Sequence, residues 1–335
     1  MSIPAVPPEA EHLYVTGSFG TPGGVGHALI DLYTQMLLAR LLGLRFVYPG
    51  LETIAIGRYD TNIRGVPEHE RRHDWETLFG LGDAFPPPPG AADARRIRLR
   101  GHGQWSLFDS EDLASMRERV ARHRATGLPV RFEVDRNERI WYWQVVYWEA
   151  AGLVPPGTTR AFRETIRAPF RARVESLFPA LAAGDRPRIA VHIRNSGLWP
   201  DEPELCARQR DGVAQVARWL DAPIEVYSEG RDEDLARVRA LYAGLPAEIR
   251  FNTPTVESFV ALATADVVSG GKSSFFMQAA LLTPATKLAW HDYDVALREM
   301  VVRKTEPMQV DEEWLIVRDD LDHDTFMRHH RKQTR

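Results

Sequence analysis

The sequence predicts an α/β protein of two Rossmann-like lobes, each built around a parallel sheet. Its 335 residues are about twice the length of a typical domain of roughly 150 residues. Short apolar strands alternate with helices in two series, which are separated by a break at 184–187. Such alternation favours a parallel sheet covered by helices on both faces. We therefore expect an N-terminal lobe over 1–178 and a C-terminal lobe over 179–335.

The first lobe opens with a strand, a glycine-rich turn, a helix and a second strand, the order of a βαβ unit. These elements are expected at 13–18, 20–26, 27–42 and 44–48. Later in the lobe the pattern predicts a charged helix, a short strand, an aromatic stretch and an arginine-rich helix, at 111–126, 131–134, 140–148 and 161–177.

The second lobe repeats the alternation more regularly. Strands are expected at 188–193, 224–227, 249–252, 267–268 and 287–290. Helices are expected at 212–220, 232–242, 256–263 and 273–282. The polar and basic end of the chain, from about residue 322, is expected to be helical or frayed.

Composition limits the classes of partner and compartment. The net charge of −4 does not favour a nucleic acid or an anionic membrane, although a local basic cleft is compatible with it. Cys206 is the single cysteine, which excludes a disulfide framework within the chain and suits a reducing compartment. The first residues are not expected to form a signal peptide, and the sequence has no apolar run of about 20 residues. The excess of arginine over lysine hints at a GC-rich bacterial genome. We expect a cytoplasmic protein, with peripheral attachment to the inner membrane left open.

Ligands of open parallel sheets bind beyond the carboxyl ends of the strands. Four polar or glycine-rich segments follow predicted strands, at 23–27, 190–197, 226–230 and 265–276. The glycines of the first segment allow a close backbone approach to a ligand, or they form only a tight turn. Residues 226–230, taken alone, are best explained as an ordinary turn.

The second segment carries His192 and Arg194 on one face of a strand, because side chains alternate along it. The planar fork of Arg194 suits a diphosphate. The alternative is a buried strand with an arginine ion-paired at its end.

The fourth segment joins a strand to an apolar helix through a glycine pair, Lys272, Ser273 and Ser274. Hydroxyls, free amides and the helix dipole at such a turn can bind one phosphate. It is not a P-loop, because Asp266 stands where that motif requires glycine and the loop is too short. The alternative is that Ser273 only caps the helix.

The ordered segments resemble a fucosyltransferase group that includes the bacterial alpha-1,2-fucosyltransferases and, more distantly, the alpha-1,6 and protein O-fucosyltransferases. The resemblance spans about residues 13–290. Its motifs here are Gly23-Gly24-Val25-Gly26-His27-Ala28, Trp141-Tyr142-Trp143-Gln144 with Tyr147-Trp148-Glu149, Ile166-Arg167-Ala168-Pro169-Phe170, His192-Ile193-Arg194, Tyr227-Ser228-Glu229, and 269–276.

The resemblance implies a GT-B-like fold with a cleft between the lobes, and a nucleotide-sugar substrate with no cofactor or metal. GDP-fucose is the implied donor, and the second substrate is a hydroxyl-bearing glycan, peptide or small molecule. The implied donor-binding residues are Gly24, Gly26, His192, Arg194, Asn195, Ser228, Glu229, Lys272, Ser273, Ser274 and Phe275. The implied acceptor-binding residues are Asp31, Trp143 and Gln144.

The chain departs from the family pattern at two places. The alpha-1,2 pattern continues His-x-Arg with a second arginine, a glycine and an aspartate, where this chain has Asn195, Ser196 and Gly197. His27 replaces the usual asparagine. The loss of the second arginine and the aspartate leaves open a donor other than GDP-fucose.

The family inverts the anomeric centre without a bound metal. We expect Arg194, Lys272 and the helix start at Ser273 and Ser274 to stabilise the leaving phosphate. His27 is the expected general base because imidazole accepts a proton near neutral pH, with Asp31 as its rival. His27 could instead only cap the helix or orient the acceptor.

Three alternatives remain at this stage. Aromatic residues at 141–148 could stack on a sugar or fill the core. The chain could be a degenerate protein that binds a nucleotide or glycan without catalysis, for which the missing second arginine argues. A metal-dependent transferase would use an Asp-x-Asp motif, and this chain has three examples, at 232–234, 292–294 and 322–324. None of them follows an N-terminal nucleotide domain, so a metal-dependent transferase ranks low.

Overall fold

The computed structural model describes residues 12–17, 25–50, 75–101, 108–135, 138–140, 142–182, 186–195, 203–271, 273–290, 313–317 and 321–333. Within these ranges the chain forms two compact units, which divide between residues 169 and 170. In the part of the chain described, no helix is both long and apolar enough to cross a membrane.

The first unit contains a four-stranded parallel sheet with the strand order β2-β1-β4-β3. Its strands are β1 Leu13–Gly17, β2 Arg45–Phe46, β3 Arg95–Leu99 and β4 Val130–Val134. The helices, including one that runs past residue 169, are α1 Val25–Leu41, α2 Leu81–Ala84, α3 Ser110–Arg124, α4 Tyr142–Ala150 and α5 Thr158–Leu177, with a 3-10 turn at Ala91–Asp93.

For two helices of this unit, the sequence explains where the helix begins or ends. Helix α1 is buried on nearly all sides, which accounts for its largely apolar sequence. It ends where Gly43 adopts a positive φ of 62°, the usual conformation after a helix terminus. Helix α3 begins with a capping box in which Asp109 and Asp112 each accept a hydrogen bond from the other's backbone amide, at 2.9 and 3.0 Å.

The second unit contains a six-stranded parallel sheet with the strand order β10-β9-β8-β5-β6-β7. Its strands are β5 Ile189–Ile193, β6 Ile224–Ser228, β7 Ala247–Phe251, β8 Val267–Gly270, β9 Thr286–Trp290 and β10 Trp314–Val317. The helices are α6 Pro179–Ala182, α7 Pro203–Leu220, α8 Asp232–Leu241, α9 Thr255–Thr264, α10 Ser274–Leu282 and α11 His323–Gln333.

Strand register brings three strand ends to one edge of this sheet. His192 of β5 is opposite both Tyr227 of β6 and Gly270 of β8. Ser228, the last residue of β6, is opposite Ile193. The loops that follow β5, β6 and β8 therefore start side by side.

The predicted α/β class with two parallel sheets is confirmed. Strands β3 and β10 were not predicted, and α7 begins nine residues earlier than expected. The aromatic stretch forms helix α4, and the predicted strand 44–48 is only two residues long. The end of the chain forms α11, whose Phe326 is fully buried and lies against Trp219 of α7 at 5.5 Å between ring centroids.

Candidate functional site

The carboxyl edge of the second sheet gathers most of the predicted donor-binding residues. His192, Arg194 and Asn195 lie at the end of β5 or just after it, and Ser228 and Glu229 do the same at β6. Ser273, Ser274 and Phe275 lie between β8 and the first turn of α10. Lys272 lies outside the described residues.

The last residue of β8, which leads into the turn before α10, has no room for a side chain. A Cβ atom placed on Gly270 would lie 2.4 Å from Cγ of Phe276, which is fully buried. Ser273 then caps the helix: its amide donates to the carbonyl of Gly271 at 2.8 Å, and its Oγ accepts from the amide of Phe276 at 3.5 Å. The backbone thus reaches the sheet edge closely, and the positive end of the α10 dipole faces it.

His192 lies against the first turn of α10. Its ring stacks on Phe276, with 6.3 Å between centroids and an interplanar angle of 14°, and it contacts Phe275 at 5.6 Å. Burial, and then the neighbouring charge of Arg194, lower the pKa of His192 to about 3. The imidazole is therefore neutral at physiological pH. Its Nδ1 is buried and has no hydrogen-bond partner among the described residues.

A hydrogen-bond chain ties the loop after β5 to the end of β6. Asn195 Nδ2 donates to Ser228 Oγ at 2.7 Å, and Ser228 Oγ donates to the carbonyl of Ile193 at 2.8 Å. Ser228 is only 6% exposed. Asn195, which stands where the family has its second arginine, thus contributes a structural bond at this edge.

The loop after β6 is also held from the next strand. Asn252 follows β7 with a positive φ of 53°. Its side chain accepts from the amide of Gly230 at 3.0 Å and donates to the carbonyl of the same residue at 3.1 Å. This two-point contact fixes the backbone that carries Glu229.

One supporting residue was missed by sequence reasoning. Gln209 of α7 is 2% exposed, and its Nε2 donates to Oγ of fully buried Ser269 in β8 at 3.1 Å. A glutamine within the apolar stripe of a helix is the signal that could have indicated it, since buried polar groups need partners.

The predicted residues of the first unit lie in and around α1. His27 is half-buried in the first turn of α1, and Gly26 precedes it. Asp31, one turn later, is 4% exposed and accepts from Nε of Arg139 at 2.9 Å. Gln144 is also buried, and its Nε2 donates to the carbonyl of Phe108 at 3.3 Å. Gly24 and the side chain of Trp143 lie outside the described residues. The roles expected of all these residues stay predictions.

Two of the three Asp-x-Asp sequences act at helix starts. Asp234 accepts from the amide of Arg231 at 2.9 Å at the start of α8, and Asp322 accepts from the amide of Thr325 at 2.7 Å at the start of α11. The third, 292–294, lies outside the described residues. Among the residues that are described, no group of three or more His, Cys, Asp or Glu is placed to hold a metal ion.

Comparison with known proteins gives matches by structure alone: no family model and no curated protein matches the chain. The crystal structure of POFUT1 in complex with GDP-fucose is 12% identical with a TM-score of 0.45, over 84% of this chain and 96% of that chain. The fucosyltransferase NodZ from Bradyrhizobium is 14% identical with a TM-score of 0.36, over 81% and 92%. The E. coli heptosyltransferase WaaC, solved with ADP-2-deoxy-2-fluoro heptose, is 11% identical with a TM-score of 0.36, over 95% and 99%.

Proposed function

We propose that the protein is an inverting, metal-independent glycosyltransferase that moves a sugar from a nucleotide donor to a hydroxyl acceptor. One observation carries the proposal. Arg194, the hydrogen-bonded pair of Asn195 and Ser228, and the tightly packed start of helix α10 all lie at one carboxyl edge of a parallel sheet. Open parallel sheets bind nucleotides at such edges.

The edge supplies what a diphosphate requires. Arg194 offers charge-assisted hydrogen bonds. The first-turn amides of α10 lack partners within the helix itself and carry the positive end of its dipole. The absence of a side chain at Gly270 lets the ring of Phe276 pack against the end of β8, which holds the start of α10 at this edge. His192 is neutral, so it contributes contact and hydrogen bonding but no charge.

In the proposed reaction, the acceptor hydroxyl oxygen forms a bond to the anomeric carbon while the bond from that carbon to the β-phosphate oxygen breaks. Negative charge then develops on the departing nucleoside diphosphate. Each donor aimed at that charge stabilises the transition state by about 3 kcal/mol. The acceptor proton passes to His27, the role that the sequence resemblance implies, with Asp31 retained as the rival base.

GDP-fucose is the first donor to test, because the ordered motifs resemble those of fucosyltransferases. A different sugar nucleotide is the alternative, since Asn195 replaces a charged residue that the family uses to hold the donor. The structural bond of Asn195 to Ser228 also favours a second candidate, a protein that holds a nucleotide or glycan without turning it over.

Calorimetric titration with GDP, UDP, ADP and dTDP, with and without EDTA, tests the donor site. Selective GDP binding that survives EDTA supports the proposal and leads to an acceptor screen with GDP-fucose and GDP-mannose. Selective binding of another nucleotide keeps the transferase and discards fucose. Absence of all nucleotide binding overturns the proposal, and loss of binding with EDTA restores the metal-dependent alternative.

Turnover in two variants separates an enzyme from a binding protein. Arg194→Ala is expected to lower kcat by about 100-fold to 1,000-fold, as for loss of one aimed donor. His27→Ala is expected to lower kcat by a similar factor through loss of general-base catalysis. The control is Arg218→Ala, which removes an exposed arginine of α7. Unchanged turnover in both variants contradicts the mechanism, and tight binding by a wild-type protein without turnover supports the second candidate.

A further inference from the structure

The first unit carries a concentration of arginines that the net charge of the chain conceals. Within residues 95–100 and 117–131 there are nine arginines and one carboxylate, that of Glu118, although the whole chain carries a net charge of −4. Strand β3 is at the edge of its sheet, and its arginines are exposed. The charge therefore lies at a surface.

Three of these arginines lie near one another at the junction of β3 and α3, and we name them the arginine surface: Arg95 of β3, and Arg119 and Arg122 of α3. The guanidinium of Arg119 donates to the backbone carbonyl of Arg98 at 3.2 Å. The pKa of His123 lies below its ordinary value because of burial and then because of the charges of Arg95, Arg122 and Arg119. Arg119 and Arg122 are three residues apart and so share a face of α3, and the contact of Arg119 brings that face to β3.

Neighbouring carboxylates offset only part of this charge. Arg98 approaches Asp135 at 3.9 Å, and Arg96 approaches Glu133 at 3.8 Å. Asp135 also pairs with Arg100. Arg96 and Arg98 keep 70% and 66% of their side chains exposed, so the edge strand adds positive charge beside the arginine surface.

An apolar side chain projects beside the arginine surface. Leu128 is 63% exposed, more than any other large apolar residue in the described part of the chain. Its turn is ordered, since its amide donates to Oγ1 of Thr126 at 3.3 Å and that hydroxyl donates to the carbonyl of His123 at 2.7 Å. The amide of Arg95 donates to the carbonyl of Pro129 at 3.0 Å, which joins the turn to β3.

We propose that the arginine surface and Leu128 form a docking site for an anionic phospholipid bilayer. Basic residues are attracted to the negative surface of such a bilayer, and an exposed leucine at their margin can enter its apolar boundary. Nucleic acid fits less well, because single-stranded binding surfaces combine arginine with exposed aromatics, and here the exposed apolar side chain is aliphatic. Charged edge strands also block strand addition, but that role requires neither Leu128 nor the arginines of α3.

Sedimentation of the full-length protein with vesicles tests the docking site. Binding is expected to vesicles of phosphatidylcholine with 30% phosphatidylglycerol and not to pure phosphatidylcholine, and it should weaken as salt shortens the Debye length from about 10 Å at 0.1 M to about 3 Å at 1 M. The triple variant Arg95→Glu, Arg119→Glu, Arg122→Glu should bind roughly a hundredfold more weakly, because each arginine near the surface contributes roughly fivefold.

Two further variants keep the test specific. Leu128→Ser should weaken binding about tenfold, since it removes one leucine from the apolar boundary. The matched control, Arg171→Glu, Arg218→Glu, Arg239→Glu, makes the same change in net charge at exposed positions of the second unit and should bind like wild type. Thermal melting confirms that all variants fold.

Several outcomes would overturn this assignment. Wild-type protein that stays in the supernatant with anionic vesicles refutes it. Equal loss in the control triple variant would mean that only net charge matters. Displacement from vesicles by a short RNA that binds more tightly would assign the surface to nucleic acid instead.

Discussion

Replacement of Gly270 by alanine tests the close approach of the β8–α10 turn. The new Cβ would lie 2.4 Å from Cγ of Phe276 and 2.6 Å from both of its Cδ atoms. Carbon atoms pack best at about 3.5–4.0 Å, so one of the two groups must withdraw by about 1 Å. Phe276 cannot turn away easily, because it is fully buried, stacks on His192 and contacts Trp314 edge-on at 6.3 Å.

The expected cost follows from this geometry. Overpacking of a filled core destabilises by about 1–3 kcal/mol, and a middle value of about 2 kcal/mol lowers the melting temperature of a unit of this size by about 6 °C. Donor binding should fall as well, since a displaced Phe276 moves His192 and the first turn of α10 together.

Calorimetric melting and GDP titration of Gly270→Ala measure both effects. Gly82→Ala serves as the control, because a Cβ at that position meets nothing within 4 Å. Adding Phe276→Leu to Gly270→Ala should recover part of the lost stability by making space. If Gly270→Ala melts within 1 °C of wild type and binds GDP equally, the turn is not close-packed in the way described.

Three other perturbations probe buried ionisable groups. The pKa of His192 is about 3 in the folded protein and about 6.5 when unfolded, so the unfolded chain takes up the proton first as pH falls. Unfolding free energy should therefore drop by about 1.4 kcal/mol per pH unit below pH 6.5 from this group, a slope that His192→Gln should remove in denaturant titrations at pH 4–7. Asp31→Ala should cost about 3 kcal/mol, because it removes a buried carboxylate that pairs with partly buried Arg139, and the double variant with Arg139→Met should melt above the single one. Lys287→Met should likewise destabilise by about 3 kcal/mol, because it removes the cation of β9 that pairs with buried Glu313, just before β10. Urea unfolding that is unchanged by this substitution would show that the pair contributes nothing.

Sequence periodicity predicted the second sheet better than the first. Strands buried on both faces read as continuous apolar runs, as at 189–193. Strand β3 reads Arg-Arg-Ile-Arg-Leu, because an edge strand keeps polar side chains in water. The early turns of α7 were missed because Gln209 interrupts the stripe formed by Cys206, Val213 and Val216.

The sequence predicted which loops form the candidate site, but not the hydrogen bonds that join them. The rule that ligands bind at carboxyl ends identified the ends of β5, β6 and β8. The bond of Asn195 to Ser228 joins residues 33 apart in sequence, and that of Gln209 to Ser269 joins residues 60 apart. Such bonds depend on strand order and register, which local patterns do not specify.

The position of β5 in its sheet has a consequence for how the chain folds. It pairs on one side with β6, which is the next strand along the chain, and on the other with β8, which begins just after Asp266, a residue 78 positions from Arg188. Pairing over such a separation is slow, because the chain between must be confined before the contact forms. A folding intermediate with native β5, β6 and β7 would hold Arg194 and Ser228 in place while lacking the helix start at Ser273. We therefore expect nucleotide affinity to appear in the last phase of refolding, later than most of the secondary structure.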